Sequence, residues 1–183
     1  MAQYNGFVSI PHSSYNEWRA STIHNGYDAD GWYQNQCWDF CAELWYQYGL
    51  TLYTGNGYAY GCWTIERNRN AVSPFIKVNG VENIKRGDVL VFNYTPTSAT
   101  GHICFADEDY HTGMTYISTF GQVPAVFGLS GTAGTYPFNL SNFLGIFRNT
   151  EWDNTPEPTP VSTPKKKKFP WPIAWEHWSN FRD

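Results

Sequence analysis

Apolar side chains recur at positions 37, 40, 41, 44, 45 and 48, as Cys, Phe, Cys, Leu, Trp and Tyr. That i, i+3, i+4 stripe predicts a helix burying one face. Gly49 supplies its C-terminal stop, and Cys37 heads the buried side. The 27 residues at the start read as an irregular, aromatic-rich lead-in. A glycine-rich loop spans 51–70, with a short helix predicted over Tyr60–Asn68. The period then changes. Lys85-Arg86-Gly87-Asp88 is a turn feeding the apolar run Val89–Phe92, and His102–Ala106 reads as a second strand. Met114–Phe120 is a third, joined to the second by a hairpin turn at Gly113, and Leu144–Arg148 is a short closing strand. Helices first and an antiparallel sheet after is the α+β order.

The pattern breaks near residue 150. Residues 1–150 suit one domain. Residues 151–168 read as a stiff linker, with Thr155-Pro156-Glu157-Pro158-Thr159-Pro160 and the cationic run Lys165–Lys168. Residues 169–183 carry Trp171, Trp175 and Trp178 and are too short to fold alone. Such a peptide suits docking into a groove on a partner protein better than contact with lipid.

Composition narrows the function classes. The net charge of −4 over 183 residues argues against nucleic acid as a partner. No apolar run reaches the length of a membrane span, and the first residues lack the basic-then-apolar order of a signal peptide. Aromatic residues reach 19%. The surplus suits a surface that stacks on sugars or on a partner protein.

The chemistry gathers around two residues. Cys37 stands at a predicted helix N-terminus, where the partial positive charge favours a thiolate. His102 opens a strand, and a histidine there can face a helix end and act as its base. Cys41, Cys62 and Cys104 sit in apolar company and read as buried free thiols. A zinc set of Cys37, Cys41, His102 and Cys104 is the less favoured alternative. Just upstream, Asp28, Asp30 and Asp39 stand at positions 1, 3 and 12 of a loop, with Trp32 and Gln34 at 5 and 7. Those are the ligand positions of an EF-hand, but position 5 has no side-chain oxygen and the glycine is at 4 rather than 6. The acids can still converge on one Ca²⁺, with Trp32 offering its backbone carbonyl. The bland reading is a solvated turn whose aspartates cap the helix.

Four segments together resemble a CHAP domain, the cysteine, histidine-dependent amidohydrolase/peptidase family. They are Asp28-x-Asp30-Gly31-x-Tyr33-x-x-Gln36-Cys37-x-Asp39, Gly55-Asn56-Gly57, Arg86-Gly87-Asp88-Val89-Leu90-Val91-Phe92 and Gly101-His102-Ile103. The likeness runs over about residues 25–148, and the acidic loop is similar to that of bacteriophage endolysins and tail-associated lysins. It implies a papain-like α+β fold close to the NlpC/P60 group, with N-terminal helices on an antiparallel sheet. It implies Cys37 as nucleophile, His102 as general base, and Gln36 with the Cys37 amide as oxyanion hole. Asp28, Asp30, the Trp32 carbonyl, Gln34 and Asp39 would surround Ca²⁺. The substrate implied is bacterial peptidoglycan, cut at an amide of the stem peptide or cross-bridge.

One departure stands out. The family places Glu-x-Asn on the strand after the histidine strand, to orient the imidazole. Here Tyr116–Gln122 holds no carboxylate, which leaves Ser118 or Gln122 as candidates. A neutral orienter suffices in papain-like enzymes. The same gap keeps open a catalytically weak or inactive structural component of a phage tail, docked through residues 169–183. For an active enzyme the expected place is the virion tail, or release from the host at lysis.

Overall fold

The computed structural model describes residues 12–29, 31, 35–65, 73–94, 99–122 and 131–152. The linker and aromatic peptide beyond Trp152, and Asp30, Trp32 and Gln34 of the acidic loop, lie outside them. The expected helix forms as α2, Cys37–Gln47, with Cys37, Phe40, Cys41, Leu44 and Trp45 all buried. Gly49 takes φ +67°, the left-handed turn that ends it. The short helix is only one turn, α3, Gly61–Thr64; the rest of the expected span, past Ile65, is outside the described residues.

The lead-in is not irregular throughout. Tyr15–Thr22 forms α1, capped by Ser14, whose Oγ accepts from the Glu17 amide at 3.2 Å. Its apolar content is low, so periodicity missed it. The cap and Glu17 in the first turn were the available signal.

Among the described residues, six antiparallel strands make one sheet. They are β1 (Phe75–Val78), β2 (Val89–Phe92), β3 (His102–Ala106), β4 (Tyr116–Gln122), β5 (Ala133–Asn139) and β6 (Phe143–Asn149), in spatial order β1-β6-β2-β3-β4-β5. Four correspond to the four expected strands. β1 is too short to show alternation, and β5 is poor in buried apolar residues, so neither was foreseen.

Both faces of the sheet are covered, which explains the unbroken apolar runs of β2 and β3. On one face α2 packs across β3 and β4. There Phe40 is the hub, its ring 5.4–5.7 Å from those of Trp18, Tyr27, Phe105 and Phe120. The other face carries Leu90, Phe92, Cys104, Ala106, Ile117 and Ile146, covered partly by Phe138, Leu140 and Phe143. Side chains alternate along each strand, so Ile103 and Phe105 face α2 while His102 and Cys104 face away.

Polar ties fix the periphery. Asp107, at the far end of β3 from His102, accepts from Arg19 Nε at 2.9 Å and from the Tyr15 hydroxyl at 3.0 Å, which pins α1. Arg148 of β6 grips the buried Asp88 carboxylate at 2.7 and 2.8 Å. Trp152 closes the core, its indole N–H donating to the His12 carbonyl at 3.0 Å.

Candidate active site

Cys37 is placed by the helix it starts. Gln36 is the N-cap residue, and the Asp39 carboxylate accepts the Gln36 amide at 2.7 Å. The backbone amides of Ile103, Trp38 and Cys37 itself favour the thiolate. Burial outweighs them, because the residue is only 9% exposed, and pushes the thiol up to about 11. Its place beside Ile103 follows from the sheet. β3 and β4 pair at Phe105–Phe120 and Ala106–Thr119, and the ladder stops short of the His102 end.

His102 is placed by a glycine. Gly101 has φ +68°, and a Cβ there would lie 2.5 Å from the Phe92 carbonyl oxygen and 2.9 Å from Tyr60 Cβ. Only glycine fits that approach. The imidazole is 8% exposed and stacks on Phe138, centroids 4.6 Å apart and planes 19° apart. Its Nε2 lies 2.9 Å from the Tyr136 hydroxyl. Burial lowers its pKa to about 4. The resting pair is therefore a neutral thiol and a neutral imidazole.

Sulfur and ring meet the start of β3 from its two sides. The thiol lies near the amide of Ile103, the residue after His102, while the ring faces the Cys104 side. Among the described residues no hydrogen bond joins them. They share a neighbourhood nonetheless: burial raises the Tyr136 hydroxyl, and the thiols of Cys104, Cys37 and Cys41 push it further.

The structure sets Tyr136 against the imidazole, not Ser118 or Gln122. Strand register explains this. The Ser118 carbonyl accepts the Asp107 amide, so Ser118 sits at the opposite end of the β3–β4 pair from His102. Gln122 is at the correct end, but its amide is spent on the loop before Cys37. It accepts from the Tyr27 amide at 2.7 Å and donates to the Tyr27 and Gln36 carbonyls at 2.6 and 3.1 Å. Gln122 thus braces the N-cap of α2. Tyr136 escaped notice because it lies 34 residues past His102, on a strand with no apolar signature.

In the acidic loop, Asp39 is 1% exposed. Its Oδ1 accepts the Ala29 amide at 3.0 Å and its Oδ2 the Gln36 amide, so one carboxylate spans both ends of the loop. Asp28 Oδ1 accepts the Gly31 amide at 2.8 Å. Among the described residues no three His, Cys, Asp or Glu side chains converge as a metal site, and the zinc alternative does not assemble. No disulfide joins the four cysteines, and all four are buried. Of the aromatics near the site, Tyr58 and Tyr94 are exposed, whereas Trp63 packs on Phe147 and over Gly145.

No family model matches the chain. A stretch of 103 residues is 32% identical to a D-alanyl-L-alanine endopeptidase of Streptococcus phage B30, covering 53% of this chain and 22% of that protein. Among solved structures, the wild-type endolysin LysIME-EF1 matches with a TM-score of 0.59 at 21% identity, over 76% of this chain and 65% of that one. Ly7917 matches with a TM-score of 0.50 at 13% identity, over 74% and 60%. The chain therefore spans about a fifth of the phage B30 protein and under two thirds of either structure. It is similar in sequence to part of a phage endopeptidase, and it has the α+β, papain-like fold of a solved endolysin.

Proposed function

We propose that this chain is a phage-type peptidoglycan hydrolase that cuts an amide of the stem peptide or cross-bridge by a Cys-His mechanism. The observation that supports it best is the Cys37 sulfur at the start of α2, ringed by amides and one residue from His102 along β3. The sequence likeness to a phage endopeptidase points the same way. In this reading His102 takes the thiol proton as sulfur bonds to the carbonyl carbon. The Cys37 amide and Gln36 stabilise the oxyanion. The C–N bond breaks, and the imidazolium gives its proton to the leaving amine. Water, deprotonated by His102, then cleaves the thioester and restores the thiol. A neutral thiol and a neutral imidazole are the starting forms that this sequence needs.

Calcium belongs to the same proposal. Asp39 draws both ends of the acidic loop together and Asp28 turns back on the Gly31 amide, which fits a loop wrapped around a hard cation. Asp28 and Asp39, with Asp30, Gln34 and the Trp32 carbonyl, would hold it. Bound calcium would supply charge that stiffens the loop preceding Cys37. The endolysin likeness supports release at host lysis over mounting on a virion tail.

A second reading rests on one specific observation. Sulfur and ring are both buried and not bonded to each other, which suits a catalytically weak or inactive CHAP-fold binding component. Purified cell walls separate the two. Wild-type protein should release new amino groups, while Cys37→Ala and EDTA-treated protein should not, with calcium restoring the latter. Equal lysis by wild type and Cys37→Ala would end the catalytic reading.

A further inference from the structure

We propose that the Tyr136 hydroxyl is the positioning group for His102, holding Nε2 as the protonated nitrogen and leaving Nδ1 bare to accept a proton. The contact is 2.9 Å long and links β3 to β5. Three features build it. First, Gly121 makes room: a Cβ there would lie 2.9 Å from the Tyr136 hydroxyl and 3.1 Å from Cys104 Cβ. Second, Tyr136 is held in register opposite Thr119, whose hydroxyl donates to the Tyr136 carbonyl at 2.7 Å. Third, Phe138, two residues along the same face of β5, stacks on the imidazole and fixes its plane.

A phenol has one proton and two acceptor lone pairs. Accepting from Nε2–H through one of those lone pairs, the oxygen selects the Nε2–H tautomer. Nδ1 makes no hydrogen bond among the described residues. Burial keeps the phenol protonated, so the orienter is neutral. A buried hydroxyl on β5 thus does what a carboxylate on β4 would otherwise do. Gly121 and Tyr136 form one device, since any side chain at 121 would displace the hydroxyl.

This inference rests on His102 being the base, so the test reads the ring apart from turnover. Histidine-labelled ¹⁵N protein would be compared as wild type, Tyr136→Phe and Gly121→Ala by long-range ¹H–¹⁵N correlation, with wall hydrolysis measured in parallel. The wild-type ring should be a single Nε2–H tautomer, and both variants should show mixed tautomers. Their kcat should fall about 10–100-fold with KM nearly unchanged. An Nδ1–H ring in wild type, or an unaltered ring signal in Tyr136→Phe, would overturn the assignment. Altered tautomers in a protein whose wild type cuts no wall would sink the hydrolase reading while leaving the positioning role intact.

Discussion

At the residue scale, the two candidate catalytic groups are dominated by burial. For His102 the folded value near 4 lies below the ordinary 6.5. Between those values the unfolded chain takes up a proton that the folded ring refuses. Stability contributed by the neutral ring is thus complete above pH 6.5 and is lost as pH falls toward 4, by up to about 3 kcal/mol. The groups facing the ring, Tyr136 and Cys104, are neutral there and leave that slope alone. Urea melts from pH 7 to 4 should show a shallower decline for His102→Gln than for wild type. The thiol runs the other way. Raised toward 11, Cys37 resists ionisation, so folded protein should react slowly with a thiol reagent at pH 8, and denatured protein should expose all four cysteines at once.

At the element scale, the start of α2 and the start of β3 do most of the positioning. Asp39 accepts two backbone amides from a buried site. Asp39→Ala should cost about 2 kcal/mol or more, and amide exchange should quicken first in the opening turn of α2. Gly101→Ala forces a left-handed alanine against the Phe92 carbonyl. A loss of about 2 kcal/mol is expected, with a displaced imidazole, read by denaturant midpoint and by the His102 ring signals. The α2 stripe was legible because a helix buries one face every 3.6 residues. The strands β2 and β3 were legible because both their faces are covered. Where exposure mixes with burial, as in β5 and α1, periodicity carries little signal.

At the scale of the whole molecule, α1, the sheet and the segment after β6 close on one another through Trp152, which packs beside Tyr15 and Phe105. Trp152→Ala should cost about 3 kcal/mol and lower Tm by roughly 6–12 °C in a thermal scan. The core thus runs slightly past the compositional break at residue 150. The acidic loop was read from spacing alone. Asp39 joins its two ends, which the spacing of acids suggested but did not specify.

Helix α2, strands β2, β3, β4 and β6 and the α+β class were legible in the chain, and Cys37 and His102 could be named as candidates, because apolar spacing and turn residues act over a few positions. The face on which His102 lies, the hydroxyl that meets its ring and the work given to Gln122 were decided only by strand register. Register couples residues tens of positions apart, and shifting it by one residue turns every side chain to the other side.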